Sequence, residues 1–347
     1  MATNSNREDD GTKLGENRPI QESPKEPDDD EKIFILPVGK EINVAVSSRA
    51  LFELEEENDV YERKGRKEYI DLQISREDQP LKPGAAFPFI KEGPRVCERE
   101  VERDPHEKEI FSITLMSHNS GQVCIRLQNS IEHHGLNITG LALTSGANIV
   151  PYLKPYEINL FLTSFEEEVA EALKEGFAAA VMSLQPMNSP SETQLRIAFD
   201  LDVVLFADEN KEDDEYAQQD ASLNESPLKK FAEAIGRMQK KLITVEPCPI
   251  RTYIISSRSA KIGRRAQITL RNWGLEIDES HFKEGLPTDK LLKIINPHIY
   301  FNNKDADVES ARAKGTPTGY VKGGEHSHDE KKKEDVKKDL FKSKEPL

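Results

Sequence analysis

Short runs of apolar residues alternate along the chain with longer stretches whose apolar positions recur every three or four residues. The short runs predict β-strands at 33–37 (IFILP), 42–46 (INVAV), 111–116 (FSITLM), 158–162 (INLFL), 196–206 (RIAFDLDVVLF), 250–255 (IRTYII) and 298–301 (HIYF). The helical period predicts helices at 50–63, 121–134, 165–176, 228–241 and 260–272. Strand–helix alternation of this kind predicts an α/β fold, a parallel Rossmann-like sheet with helices on both faces.

Three segments fall outside that pattern. Residues 1–31 are Asn, Ser, Pro, Asp and Glu with hardly an apolar group, and are expected to be a disordered acidic tail. Residues 316–347 run from Thr-Pro into a Lys/Glu/Asp series and read as a disordered charged tail. His326 and His328 lie in that tail, where two histidines in a charge run are more often solvated than metal-bound. Asp208 to Pro227 is a polar stretch inside the ordered region and reads as an insert.

The ordered part carries an internal repeat. A shift of 139 residues lays Ser117 on Ser256, Arg126 on Arg265, Gln128 on Gln267 and Gly135-Leu136 on Gly274-Leu275. It also lays Gly146 on Gly285, Leu153-Lys154 on Leu292-Lys293, Ala172 on Ala311 and Gly176 on Gly315, with no gap from 113 to 176. Glycines and a lysine in register, not apolar residues alone, favour duplication over shared periodicity. With a different offset, AVSSRALF (45–52) matches AFDLDVVLF (198–206). The expected organisation is two tandem α/β modules, 32–190 and 191–315, the second with a small cap insert at 208–246.

Composition narrows the function classes. At 347 residues the chain is long enough for two domains, and its net charge of −15 argues against a nucleic-acid backbone as partner. A small phosphorylated substrate is compatible, because a pocket can be locally positive on an acidic protein. No run approaches the ~18–20 apolar residues that would span a bilayer, and MATNSNREDDG has no signal-peptide core. Cys97, Cys124 and Cys248 follow no metal-ligand spacing and read as idle thiols in a reducing compartment. A cytoplasmic protein is therefore expected.

The chemistry-bearing residues sit at strand ends. The strand RIAFDLDVVLF carries Asp200 and Asp202, expected on one side of the strand at the carboxyl end that faces the ligand crevice. Two carboxylates there suit a magnesium ion, with one as nucleophile and the other handling a proton. The strand RTYII then ends in Ser256-Ser257-Arg258, whose hydroxyls and N–H groups suit a phosphate, and HIYF ends in Asn302-Asn303.

Strand–DxD, strand–Ser and strand–polar pair, in that order, resemble the haloacid dehalogenase superfamily of phosphotransferases. Longer stretches narrow the resemblance: PGAAFPFIK (83–91), RLQNSIEHHGL (126–136), AFDLDVVLFADE (198–209), PLKKFAEAIGRMQKK (227–241), CPIRTYIISSRSA (248–260) and LRNWGLEIDE (270–279) are similar to the type I cytosolic 5′-nucleotidases. That resemblance runs from about 42 to 315. It implies magnesium-dependent hydrolysis of nucleoside 5′-monophosphates, AMP above all. Asp200 would form an aspartyl-phosphate, Asp202 would act as general acid and then base, and Ser256 would take the place of a threonine. Related enzymes are often oligomeric, so a homo-oligomer is implied by analogy.

Three departures from the family pattern stand out. Leu201 replaces Gly between the acidic residues, and the expected lysine falls on Thr288, with Lys290 or Lys293 as the candidate stand-ins. Asn302-Asn303 replaces an Asp pair, so magnesium would rest on Asp200, Asp202, Asn302, Asn303 and Asp305, with Asp307 close behind. The resemblance thus implies either a nucleotidase or a weak or inactive nucleotide-binding homologue. In the first module Ser47 and Arg49 stand where the acidic pair would be, which leaves it a structural or substrate-binding role. Ser117 and Asn119, the TSGAN turn (144–148) and Lys154 are its candidate contacts to the nucleotide.

Overall fold

The computed structural model describes residues 41–101, 110–183, 190–205, 226, 228–242, 248–272, 274–275 and 277–321, within a unit spanning Val38–Leu347. The expected strand at 33–37, the tail 1–31, the other tail beyond residue 321, Cys97's side chain and most of the insert from 208 lie outside the described residues.

Ten strands form one sheet: β1 (Glu41–Ser47), β2 (Ile110–Ser117), β3 (Gly140–Leu143), β4 (Leu160–Thr163), β5 (Ala179–Met182), β6 (Leu195–Asp200), β7 (Ile250–Ser256), β8 (Glu279–Phe282), β9 (Ile299–Asn302) and β10 (Thr318–Tyr320). Their spatial order is β3-β2-β1-β4-β5-β10-β9-β6-β7-β8. All pairings are parallel except β5 with β10, which join antiparallel at Gly319↔Met182 and Tyr320↔Val181. Each half of the sheet therefore has the same internal strand order, and the halves run in opposite directions.

The 139-residue shift carries the bounds of β3 and β4 onto those of β8 and β9, and helix Glu166–Lys174 onto helix Asp305–Ala313. Left-handed backbone follows the same rule. Gly135, Ser145, Gly146, Glu157 and Gly176 have positive φ, and so do Gly274, Glu284, Gly285, Asn296 and Gly315.

Eleven helices are described, labelled in chain order: α1 (Ser48–Leu51), α2 (Glu55–Lys64), α3 (Arg66–Ser75), α4 (Phe87–Val101), α5 (Cys124–His133), α6 (Glu166–Lys174), α7 (Leu201–Leu205), α8 (Lys229–Leu242), α9 (Ala260–Asn272), α10 (Asp289–Ile295) and α11 (Asp305–Ala313). Strand alternation sorts their partners. Ile42, Val44 and Val46 of β1 join Leu195, Ile197 and Phe199 of β6 in one core, which α4, α5, α8 and α9 cover. Ala45 points the other way, into a core under α6, and Ala198 into a separate core under α10 and α11.

Three expectations change here. The charged tail expected from 316 begins instead with the buried strand β10, held between β5 and β9. The strand expected over 196–206 stops at Asp200, and the rest of the apolar run is the helix α7. The helix expected within a cap is α8, the crossover between β6 and β7. Its Phe231, Ile235 and Met238 are buried in the core against the sheet, because its apolar stripe matches the sheet face.

Candidate functional site

In the second half the strand order reverses between β6 and β9, and the chain leaves both strands at one crevice. Asp200 is the last residue of β6. Its Oδ1 accepts the Asp202 N–H at 2.9 Å, which caps the first turn of α7. The two carboxylates converge through this turn, not through strand alternation as the apolar run suggested. Both are 2% exposed.

Two further strand ends complete the site's walls. Ser256 closes β7 fully buried, and its Oγ accepts the Arg258 N–H at 3.2 Å. Arg258 turns back so that Nε donates to Asp202 Oδ1 at 2.6 Å. Asn302 closes β9, also fully buried; its Oδ1 accepts the Lys304 N–H at 2.7 Å and its Nδ2 donates to the Tyr300 hydroxyl. That turn brings Lys304 Nζ to Asp202 Oδ2 at 2.9 Å and to Ser257 Oγ at 3.2 Å.

The two carboxylates are thus unequal. Asp202 faces a cation on each oxygen. Burial, and then the neighbouring Asp202 charge, raise Asp200 to about 7, with Lys304 opposing. Tyr300 is likewise raised well above its ordinary value, chiefly by burial and next by Asp200.

Sequence-predicted residues separate into those at this centre and those elsewhere. Asp200, Asp202, Ser256, Ser257, Arg258 and Asn302 meet here, and Asn303 is the half-buried residue after β9. Lys290 and Lys293 are exposed on α10, and the cation on the acidic pair is Lys304, which follows Asn303 directly. Thr288 is buried and donates to Asp307 Oδ1 at 3.3 Å, so its hydroxyl is turned to α11. Asp305 is exposed in the first turn of α11. Sequence reasoning missed Lys304; its only signal is a lysine two residues beyond a strand that ends beside the acidic pair.

Ser117 and Asn119 do not reach this centre. They leave the carboxyl end of β2, and the antiparallel β5–β10 junction puts that end on the opposite edge of the sheet from Asp200. Lys154 is exposed at the end of the 3-10 turn Val150–Tyr152, in the same half. Ser117 and Asn119 line a second crevice, apart from the Asp200 centre.

A magnesium ion asks for near-octahedral oxygen ligation at about 2.0–2.1 Å. Here both Asp202 oxygens accept from cations, and the Asn302 amide oxygen accepts from a backbone N–H. No cluster of three His, Cys, Asp or Glu placed to hold a metal occurs among the described residues. As arranged, the donor set does not fit magnesium, because the Asp202 oxygens are already taken by Arg258 and Lys304 and the Asn302 amide oxygen by a backbone N–H. What the arrangement suits is a phosphoryl group, with two cations and the Ser256 and Ser257 hydroxyls around a buried carboxylate.

Comparison with known proteins gives this geometry a context. The family pattern described as 5′-nucleotidase matches residues 35–328. Over 295 residues the chain is 41% identical to cytosolic 5′-nucleotidase 1B of Homo sapiens, across 80% of this chain and 48% of that protein. The chain thus spans about half the length of that relative. Among solved structures, a protein of Pseudomonas aeruginosa UCBPP-PA14 described as a universal stress protein is similar at TM-score 0.31 and 9% identity, covering 81% of this chain and 91% of that one. A likeness at that level carries no argument.

Proposed function

The chain belongs to the 5′-nucleotidase family, and from that premise we propose that it hydrolyses nucleoside 5′-monophosphates, AMP favoured, at the Asp200 centre. The observation that carries the reading is the buried acidic pair at the switch point of the second half-sheet, with Arg258 and Lys304 against it. The two halves are taken as copies of one haloacid dehalogenase-like module, a reading supported by the 139-residue correspondence of strands, helices and left-handed residues. A cytoplasmic location belongs to the same proposal, since the human relative carries the word cytosolic in its name.

Asp200 is the nucleophile. Its ionised oxygen attacks phosphorus and the bond to the nucleoside oxygen breaks as protonated Asp202 gives that oxygen its proton. Water then passes a proton back to Asp202, attacks phosphorus and breaks the bond to Asp200, releasing phosphate. Arg258 and Lys304 meet the phosphoryl charge, the electrostatic work that dominates such reactions. Asp202 must give up an ion pair to carry a proton, so turnover is slow.

A second reading rests on that same constraint. With Asp202 held on both oxygens, Thr288 in place of a lysine and Asn302 in place of an acid, the centre binds a nucleotide without cleaving it. Phosphate release from AMP, IMP and CMP, with and without magnesium and beside Asp200→Asn, decides between them. Turnover abolished by Asp200→Asn supports hydrolysis. Magnesium stimulation would mean that the two cations yield to a metal. No release from either protein, with AMP still bound by calorimetry, leaves the binding reading.

A further inference from the structure

The first half-sheet encloses a cavity of about 440 Å³ that the hydrolytic reading does not use. Small-molecule sites commonly measure ~300–1,000 Å³. The cavity lies at the carboxyl ends of β1 and β2, where the strand order reverses between β1 and β4, the place where open α/β sheets take ligands. It is on the other edge of the sheet from Asp200. Five strand spacings separate β1 from β6, roughly 24 Å at ~4.8 Å each.

The lining residues differ from those of the Asp200 centre in a consistent direction. Ser47 and Arg49 occupy the positions of Asp200 and Asp202; Ser47 closes β1, and its Oγ accepts the Ala50 N–H at 3.2 Å, a cap one residue longer than the one Asp200 makes to Asp202. The 139-residue shift places Phe165 at the position of Lys304. The Arg49 guanidinium lies 5.2 Å over the Phe165 ring, where the second half has its Asp202–Lys304 ion pair. The carboxylate is thus replaced by a cation, and the cation by an aromatic face.

Other walls add to that chemistry. Arg66 donates to Ser145 Oγ at 3.1 Å, on the turn where Ser145 and Gly146 are left-handed with φ of 54° and 92°. Tyr61 and Tyr69 meet edge to face at 5.7 Å, and the Tyr69 hydroxyl donates to Asn119 Oδ1 at 2.7 Å. The one acid in the lining, Glu62, receives an N–H from Asn58 at 2.8 Å. The Ser48 and Ser117 hydroxyls, 2.9 Å apart, form the floor.

We propose that this crevice is a second ligand site that binds a nucleoside phosphate and does not hydrolyse it. Arg49 and Arg66 meet the phosphate, while Tyr61, Tyr69 and Phe165 offer faces and edges to the base. With Ser47 in place of the nucleophilic carboxylate, the bound phosphate stays intact.

Equilibrium dialysis of AMP against the full chain carrying Asp200→Asn tests the site without turnover. Two AMP molecules per chain are expected. Arg49→Ala and Arg66→Ala each weaken one of them about tenfold and leave the other unchanged, whereas Arg258→Ala weakens only the second. Arg66 is exposed, so its loss leaves the core intact; equal melting temperatures would verify this. Adenosine, lacking the phosphate, is expected to bind the Arg49 site more weakly than AMP. If the Asp200 centre binds no AMP, one molecule remains per chain and is weakened about tenfold by Arg66→Ala; that outcome sinks the hydrolytic reading and keeps this one. AMP binding that ignores both Arg49→Ala and Arg66→Ala overturns the proposal.

Discussion

At the Asp200 centre the decisive contacts are those of Asp202, whose two oxygens take Arg258 at 2.6 Å and Lys304 at 2.9 Å. They leave Asp200 as the carboxylate without a direct cationic partner among these contacts, so burial governs it and raises it to about 7 from an ordinary 3.8. The sign of the stability effect follows from proton binding. Between 3.8 and about 7 the folded chain keeps a proton that the unfolded chain has lost, so this residue's contribution to stability falls as pH rises, and it is lost once pH passes about 7. Asp200→Asn cannot ionise, and its amide oxygen can still accept the Asp202 N–H. The variant is expected to gain on the parent between pH 5 and pH 8, by about 2–4 °C in melting temperature per kcal/mol recovered. Thermal melts of both proteins at the two pH values check this, and an equal difference at each would contradict the assignment. In the parent, phosphate release should rise with pH through about 7 as Asp200 ionises. The acidic pair was legible because two carboxylates at the end of an apolar strand form a pattern. Lys304 was not, since a lone lysine after a strand looks like solvated surface until the Asn302 turn aims it inward.

Among the elements, helices with an unbroken apolar stripe were legible, and α9 falls on its expected bounds. Helix α4 was not. Gly93 and Pro94 within it are poor helix formers, yet Phe89, Ile90 and Val96 are buried in the shared core, and that packing overrides local propensity. The short strands β8 (ESHF) and β10 (TGY) have no apolar run to find, being defined by a neighbouring strand's hydrogen bonds. The 196–206 run misled because strand and helix are both apolar there; the boundary is the Asp200 side chain capturing the Asp202 N–H. Helix α8 offers a test of packing at this scale. A Cβ added to Gly236 would sit 2.4 Å from the Gly274 carbonyl oxygen and 2.8 Å from Leu275 Cα, backbone atoms with little room to yield. Gly236→Ala is therefore expected to destabilise by about 1–3 kcal/mol, outweighing the ~1 kcal/mol of helix propensity that alanine brings. Urea unfolding reads the difference, and a more stable variant would mean that α8 can move off the β7–β8 connection.

Over the whole molecule, strand order within each half was implicit in the repeat, but the direction of one half relative to the other was not. It depends on the antiparallel β5–β10 pairing, a contact between segments far apart in sequence that no local pattern encodes. That pairing separates the two crevices to opposite edges, and it also decides how the molecule unfolds. The two-residue β5–β10 ladder alone would be a weak hinge. The face covered by α4 and α8 is different, because its core runs unbroken from Val44 and Leu160 to Ile197 and Phe301. The two crossover helices meet there, with Phe89 and Phe231 rings 6.4 Å apart and Phe231 in turn 5.9 Å from Phe301. Helix α4 touches β6, and α8 touches β1, so each half supplies part of the other's cover. The opposite face has two separate cores, and if they governed, the halves would melt independently. Since burial of apolar area dominates stability, the shared core is expected to impose one cooperative transition, with calorimetric and van't Hoff enthalpies equal. Residues 41–183 produced alone would expose the Val44, Leu160 and Phe89 surface that the second half covers, and are expected to lack a cooperative melt. Two resolved transitions in the full chain, or a fragment that melts cooperatively by itself, would show instead that each half carries a sufficient core and that the shared face only fastens them together.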